Sequence, residues 1–552
     1  MRKLMFAFVV AAAGVLAAPA EESLMLMRLR APNTESDEQW AKTLSILKAN
    51  RGACDEVWFS TGIGVPDMAW HREHAARLVR YADECRAAGI VPSLQVQATI
   101  GHSDSVSSIE STAGKSWGGF TGRGGTECRH CNCPRQPGFL AYVREMSKIY
   151  AAFRPAYVWI DDDLRIMGHS PGSPWDKTSA GWIGCWCKTC IEAFNAETGG
   201  KWTRETLDAA MGKESALFDR WERFSFASIA EVARAIAEGF HAVSPKTRLA
   251  YQHGKYRNDS QIAVFKALHE ATGLPVGSRP GGGAYYDILP YGPALEGFAS
   301  ASQRKHLGDP EYIAVWCPEV ETFPRTFASR TVQSILVEAF MSLACGMNAV
   351  SLLIMDTRKE TFEWYDKSLL KPISDERPFF DAYVAANKDS VPAGFADEKD
   401  GVKLSYSTLT SVALIGVPVL PGPGKSYGGI GADDMTSTVP TMTSAEILAV
   451  RRGLDARSGG TAPVIVETPS LGYVVPRVAS DGTLRTVAFL NTRIDVQGPL
   501  RVRMRRVPSG ARAVWHEMRG GVSDVAIVRD GSDAVAEVPA LTAWNCGWLE
   551  IK

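Results

Sequence analysis

The chain has 552 residues, with 60 basic against 61 acidic side chains, 45% hydrophobic and 22% charged residues. That balance excludes a dominantly disordered chain, and the scattered 50 Gly and 30 Pro exclude a collagen-like repeat. A formal charge of −1 without a basic stripe argues against nucleic acid as a partner, and the length calls for one large core plus an appended module.

Residues 1–20 read as a secretory signal. Arg2 and Lys3 precede an apolar run from Leu4 to Ala17, and Ala18-Pro19-Ala20 offers small residues for cleavage. The run is too short to span a bilayer and no other stretch approaches that length. A secreted or periplasmic protein without a membrane span is the expectation.

From residue 23 to about 357, short apolar runs alternate with helical periodicity. The runs lie at 23–30, 55–61, 91–99, 156–163, 247–253, 274–279, 311–319 and 348–356, and helical spacing covers 68–88, 138–152, 218–243 and 328–345. Eight such alternations are the count of a (β/α)8 TIM barrel, assigned here to residues 21–395. The other α/β arrangement, a doubly wound open sheet, lacks its Gly-rich phosphate loop after the first strand. Beyond 395, residues 401–420 read as strand and 421–436 as a Gly-rich loop. Thr443 with Glu446 then forms the capping box of a short helix. Residues 396–470 thus make a small intermediate region. From 471 to 552, short strands with turns at Asp481-Gly482, Gly520-Gly521 and Asp530-Gly531 predict a small antiparallel β-sandwich.

A barrel of this type does its chemistry where the strands end. The fourth run ends in Asp161-Asp162-Asp163 and the seventh in Glu319-Val320-Glu321. Crowded carboxylates raise at least one pKa, as a general acid requires. Glu319 and Glu321 share a face at period two. Two carboxylates facing each other across a cleft are what glycosidic bond cleavage needs, one protonating the leaving oxygen and one attacking the anomeric carbon or activating water. The alternatives are a solvated capping cluster for the aspartates and a structural pair salt-bridged to Arg325 or Arg330 for the glutamates.

Six of the eleven cysteines fall in two groups, Cys128, Cys131, Cys133 and Cys185, Cys187, Cys190. Thiolates at such close spacing suit tetrahedral zinc, whereas an exported chain could pair them as disulfides. The other five are scattered, as buried thiols are.

The sequence Ile160-Asp161-Asp162-Asp163, followed by Cys185-Trp186-Cys187-Lys188-Thr189-Cys190 and Phe194, resembles the family-42 glycoside hydrolases, β-galactosidases with a (β/α)8 barrel. Their fourth strand ends Asp-Asn-Glu, the Glu being the acid/base. The resemblance therefore puts Asp163 in that role, with Asp161 and Asp162 beside it. It implies a structural zinc on Cys185, Cys187 and Cys190, with Cys133 as the fourth ligand. It also implies that Glu321, in Glu321-Thr322-Phe323-Pro324, is the nucleophile and Glu319 its support. The likeness covers roughly residues 128–357. It departs at Asp163, where a carboxyl one methylene shorter sits back by about an ångström, a displacement that can cost on the order of 100-fold. The intermediate region also has little room for the flavodoxin-like trimerisation domain usual in that family.

Arg28, Arg30, Gln97, His169, His253 and Asp356 lie at or beyond strand ends as possible sugar contacts. Arg279 could read an acidic sugar, and Trp316, Trp117 and Trp182 could stack on pyranose rings. His102 and Gln252 are further polar groups of that kind, whereas the strand-one end (Arg28, Arg30) and the strand-three end (Gln95, Gln97, Thr99) do not match the galactosidase pattern. These features predict an exported, retaining glycoside hydrolase, β-galactosidase-like, needing no catalytic cofactor and acting on an oligosaccharide, polysaccharide or glycoconjugate. An inverting glycosidase and a catalytically inactive carbohydrate-binding barrel are the other readings.

Overall fold

The computed structural model describes residues 23–97, 99–101, 112, 114–165, 184–211, 215–254, 258–287, 292–399, 401–435 and 438–552. The predicted signal at 1–20 and His102, His169 and Trp182 lie outside the described residues. The first half is built on parallel strands. In chain order they are β1 (Met25–Arg28), β2 (Glu56–Ser60), β3 (Val91–Val96), β4 (Tyr157–Ile160), β5 (Arg248–His253), β6 (Val276–Pro280), β7 (Ile313–Trp316), β8 (Glu319–Glu321) and β9 (Val350–Leu353). Nearly every residue in them is buried, as expected of parallel strands covered on both faces.

The ladder runs β8-β9-β1-β2-β3-β4-β5-β6-β7. Its two edges, β7 and β8, are consecutive in the chain and separated only by Cys317-Pro318. The sheet therefore curls until its edges meet through the covalent chain. The closed ring expected from the sequence is corrected here, because the ladder itself does not close. β7 pairs with β6 and β8 pairs with β9. Pro318, with no N–H to donate, interrupts the run between them. Cys317 N–H still donates to Ser278 O at 3.0 Å, and Ala349 N–H to Trp316 O at 3.2 Å.

Period two sorts the side chains. Leu26, Trp58, Trp159, Ala250, Val315, Cys317 and Ala349 point inward and form a separate apolar cluster. Within it Trp58 and Trp159 stack with centroids 4.1 Å apart. Neighbours of opposite parity, such as Met27, Phe59, Val158, Leu249 and Trp316, join the main core outside the sheet. Helices Asp37–Ala49, Met68–Ala87, Pro137–Ala151, Ser215–His241, Asn258–Thr272, Gly292–His306 and Val332–Ala344 accompany the strands. A hairpin of Gly119–Thr121 with Glu127–Asn132, unread in the sequence, follows β3.

Ser390–Ala396 leaves the barrel and joins an eight-stranded mixed sheet. There it pairs parallel with Val419–Leu420 and Lys425–Gly429 and antiparallel with Gly472–Ala479. A second, four-stranded antiparallel sheet contains Val464–Val466, Leu500–Met504, Ile527–Asp530 and Asp533–Val538. The strand expected over 401–420 is corrected to a helix, Tyr406–Leu414. Ser405 caps it by accepting from Thr408 N–H, and Leu409, Val412 and Ala413 bury one face. Thr443 and Glu446 form a reciprocal capping box. Arg477 joins the two halves, donating to Leu343 O and Ala344 O at the end of a barrel helix and to Ser390 O at 2.6 Å.

Candidate active site at the strand ends

Above the apolar plug, the next inward positions carry charge. Arg28 (β1), Gln95 (β3), Asp161 (after β4), Gln252 (β5), Arg279 (β6) and Glu319 (β8) form a buried polar layer. Glu319 is its hub. Oε2 lies 2.9 Å from Arg279 Nη1 and accepts from Gly282 N–H at 2.8 Å, while Oε1 lies 3.4 Å from Arg28 Nη1. Asp161 Oδ1 stands 3.8 Å from Arg279 and 3.9 Å from Arg28. Gln252 Oε1 accepts from Arg279 at 3.2 Å.

Burial alone would raise the Glu319 carboxyl. The charges of Arg279 and Arg28 and the N–H groups of Gly282 and Gly283 outweigh it and hold Glu319 well below the usual carboxylate range. The tract Gly281-Gly282-Gly283 makes this possible. Gly282 has φ +115°, and a Cβ on Gly283 would stand 2.1 Å from Glu319 O. Only glycine lets this backbone close on the carboxylate.

One step toward the mouth lies Glu321. Oε1 accepts from Arg325 Nη2 at 2.5 Å, Oε2 lies 3.6 Å from Arg28, and its carbonyl accepts from Arg330 at 3.1 Å. Burial, then the charge of Glu319, push the Glu321 carboxyl above its ordinary range, against the pull of Arg28, Arg325 and Arg279. The salt bridge to Arg325 anticipated from the sequence is present. Arg325 reaches it from φ +73°, a left-handed conformation costing a non-glycine residue about 1–2 kcal/mol. Tyr365 Oη lies 2.8 Å from both the Arg325 and Asp356 carbonyl oxygens and ties these loops together. The Tyr285 hydroxyl is pushed up by the Glu319 charge, then by burial and Glu321, so it stays protonated beside both carboxylates.

After β4 the chain turns. Carboxylate oxygens of Asp161, Asp162 and Asp163 lie within 4.8 Å of one another. Arg165 is 3.4 Å from Asp163 and 3.7 Å from Asp162. Asp163 is only 1% exposed. Gln97 accepts from Ser60 Oγ at 2.6 Å, and Asp356 Oδ1 accepts from Arg358 N–H at 3.1 Å.

Three expectations are corrected by strand parity or by partners. Trp316, between inward Val315 and Cys317, points out of the barrel, is 1% exposed and has no face open to a sugar. His253 likewise follows inward Gln252; it is fully buried against Ser278 Oγ at 3.0 Å. Arg279 points inward but is engaged by Glu319 and closed off from a ligand. Trp117 packs on Phe139 and Tyr142. Among the described residues, Tyr285, Tyr286, Phe323 and Phe327 are exposed aromatic rings of the loops after β6 and β8, and Trp70 is exposed on the helix after β2. Phe323 N–H donates to Tyr285 O at 2.9 Å. Arg330, Tyr285, Tyr365 and the glycine tract were not read from the sequence as site residues; the run of three glycines after β6 was the available signal.

Cys133, Cys185, Cys187 and Cys190 bring four sulfurs within 4.8 Å of one another. Cys133 Sγ lies 3.6 Å from Cys187 Sγ and 3.5 Å from Cys190 Sγ, and all eleven cysteines are free thiols. Four thiolates at about 2.3 Å from a tetrahedral zinc are about 3.7 Å apart, so donor set and spacing fit that ion. Cys54, Cys85, Cys317, Cys345 and Cys546 are buried singly.

No protein-family model matches the chain, and no curated protein matches it. Among solved structures it is similar to a β-galactosidase from Bacillus circulans sp. alkalophilus, with TM-score 0.55 and 9% identity, over 96% of this chain and 99% of that one. It is also similar to the α-L-fucosidase isoenzyme 2 from Paenibacillus thiaminolyticus, with TM-score 0.54 and 10% identity over 96% and 100% of the two chains. A catalytic mutant of a GH42 β-galactosidase from G. stearothermophilus aligns with TM-score 0.53 and 10% identity over 96% and 98%. At such identity the likeness is one of fold, and it extends through the C-terminal sheets as well as the barrel.

Proposed function

We propose that the protein is an exported glycoside hydrolase working at the C-terminal ends of the barrel strands. The observation that carries this is Arg28, one side chain within 3.9 Å of Asp161 and 3.6 Å of Glu321. It joins the carboxylates of β4 and β8 into one buried cluster. Glu319, saturated by two arginines and a backbone N–H, is the fixed counter-charge. Glu321, one position nearer the mouth, is the reacting carboxylate. In the retaining form its oxygen attacks the anomeric carbon as Asp163 gives a proton to the leaving oxygen; Asp163 then takes a proton from water, which releases the sugar. Tyr285 and Phe323, the latter 56% exposed, offer rings for stacking on the sugar. The α-L-fucosidase and β-galactosidases of similar fold act on sugars, which agrees with this reading. The four clustered thiols would hold a structural zinc, with no coordination position left for chemistry.

The test is turnover of a panel of aryl glycosides, with the anomer of the first product read by NMR. Activity with retained configuration, abolished in Glu321→Gln, is expected; unchanged turnover in that variant would remove Glu321 from the mechanism. A second reading, a sugar-binding barrel without turnover, is favoured by the burial of Asp163 against Arg165. Binding without cleavage across the panel would establish it instead.

A further inference from the structure

The barrel and the C-terminal sheets frame a cavity of about 330 Å3 on the face opposite the mouth. Its place follows from chain direction, because a helix returning from the mouth ends beside the N-terminal edges of the strands. The helix Gly292–His306 brings Arg304 there in its last turn, and Val332–Ala344 ends there just before Gly346. The other wall is made by Ser390–Ala396 and Lys425–Gly429, which pair in parallel at Ala393 and Lys425. The charged side chains on these walls are Arg304, Arg477, Lys425 and Asp309.

Arg477 is only 8% exposed, yet none of its hydrogen-bond partners is charged. Nε donates to Ser390 Oγ at 3.0 Å, Nη2 to Ser390 O at 2.6 Å, and Nη1 to Leu343 O and Ala344 O. Carbonyls at a helix C-terminus ease the burial of a guanidinium, but they leave its full charge without a counter-ion. Arg304 stands on the same helix end, giving Nη1 to Gly346 O and Nε to Asp309 Oδ1, both at 2.6 Å. Its Nη2 and the Nζ of Lys425 make no ion pair or hydrogen bond among the described residues. Of the acids flanking the wall strand, Asp389 does not line the cavity and Asp397 is taken by Lys305 at 2.6 Å. Three cations less one carboxylate leave a charge of +2 on the cavity walls. Such a site attracts a dianion, and guanidinium and ammonium donors are the groups that hold tetrahedral oxyanions.

We infer that this cavity binds a phosphate or sulfate group, free or as the ester of a small molecule. Its volume lies at the lower end of the range for ligand sites, which admits a monoester and excludes a folded partner. The anion supplies the counter-charge that Arg477 lacks and links Arg304 on the barrel to Lys425 on the C-terminal sheet. Binding there fastens the two halves of the chain together and stabilises both. The site lies away from the proposed hydrolase chemistry and does not depend on it.

The experiment is calorimetric titration of the full chain with inorganic phosphate, sulfate and glycerol 3-phosphate, at an ionic strength held constant with sodium chloride. At least one of them is expected to bind one to one, with a Kd of about 1 mM or tighter. An ester bound as tightly as the free ion marks an organic ligand, and an ester bound more weakly marks the ion itself. Lys425→Gln, at an exposed position, should weaken binding about tenfold, the worth of one charge-assisted contact, and Lys425→Arg should restore part of it. Arg304→Gln, checked for folding by its circular dichroism melt, should weaken it by a similar factor. A Kd weaker than about 1 mM for all three anions, or binding that survives both Lys425→Gln and Arg304→Gln, would overturn the inference.

Discussion

Replacing Arg279 by Met tests whether the lower layer is a closed electrostatic unit. Methionine keeps much of the apolar stem and removes the guanidinium 2.9 Å from Glu319 and 3.8 Å from Asp161. Glu319 keeps Arg28 at 3.4 Å and the Gly282 N–H at 2.8 Å, but loses its nearest cation in a buried setting. Breaking a buried pair costs about 3–5 kcal/mol, and the remaining partners place this case near about 3 kcal/mol. The cost depends on pH with a definite sign. In the wild type the Glu319 pKa is depressed, so its contribution is complete above the ordinary value of 4.5 and lost only in acid. In the variant, burial dominates and raises the pKa, so stability falls as pH rises through the new value. Urea unfolding should therefore show a deficit of about 3 kcal/mol at about pH 8, shrinking toward about 1 kcal/mol at about pH 5.5 as Glu319 takes up a proton. An equal deficit at both pH values, or one below about 1 kcal/mol at the higher, would mean that Glu319 is solvated and the clamp is not real.

The remaining expectations concern other parts of the frame. Gly283→Ala should cost about 1.5–3 kcal/mol in urea unfolding, because its Cβ would displace the loop and break the 2.8 Å bond from Gly282 to Glu319. Gly453→Ala, in the helix Ser444–Arg457 with nothing within 4 Å, should instead stabilise by about 0.5–1 kcal/mol. Elemental analysis should find one zinc per chain, reduced in Cys187→Ser with a lower melting temperature; disulfides among Cys133, Cys185, Cys187 and Cys190 by mass spectrometry would refute the metal. Burial, opposed by Arg330, pushes Glu338 up to about 8 from 4.5, so the native state holds this proton and loses stability as pH rises between those values. Relative to Glu338→Gln, the wild-type urea stability should fall by about 1.4 kcal/mol per pH unit over that window; parallel pH profiles would contradict the assignment.

All eight strand runs were legible because buried parallel strands are short, apolar and separated by helical spacing. Their ends were legible as acid-rich for the same reason: nothing in a core requires Asp161-Asp162-Asp163. Misreadings came from parity. Counting by twos from Leu26, Ala250 and Val315 turns Trp316 and His253 outward and sends Arg28, Gln252 and Glu319 inward, with Arg279 level with Gln252, yet their places at strand ends made the tryptophan and histidine look like sugar contacts. The break at Cys317-Pro318 was invisible because a proline near a strand end is unremarkable until both neighbours must pair. Over 401–420, β-branched residues resembled a strand, and only tertiary burial of Leu409, Val412 and Ala413 decides for the helix. The Arg325 partner of Glu321 was legible at i+4, whereas the glycine tract acts through positions that no local pattern ties to Glu319.

The stacked pair Trp58 and Trp159 does more than fill the barrel. It is an insulating floor. Beneath Arg28, Arg279, Asp161 and Glu319 lie these two indoles with Leu26, Tyr157, Ala250, Val315, Cys317 and Ala349, and the buried Glu56 accepts from Trp58 Nε1, so dense packing limits the water that could screen the charges from below. Field lines that would spread into solvent are confined and leave through the open end, toward Glu321 and whatever lies above it. Chemistry at the mouth is therefore governed partly by residues that never meet a ligand, and a smaller side chain at Trp159 would weaken the field by admitting water under the charged layer.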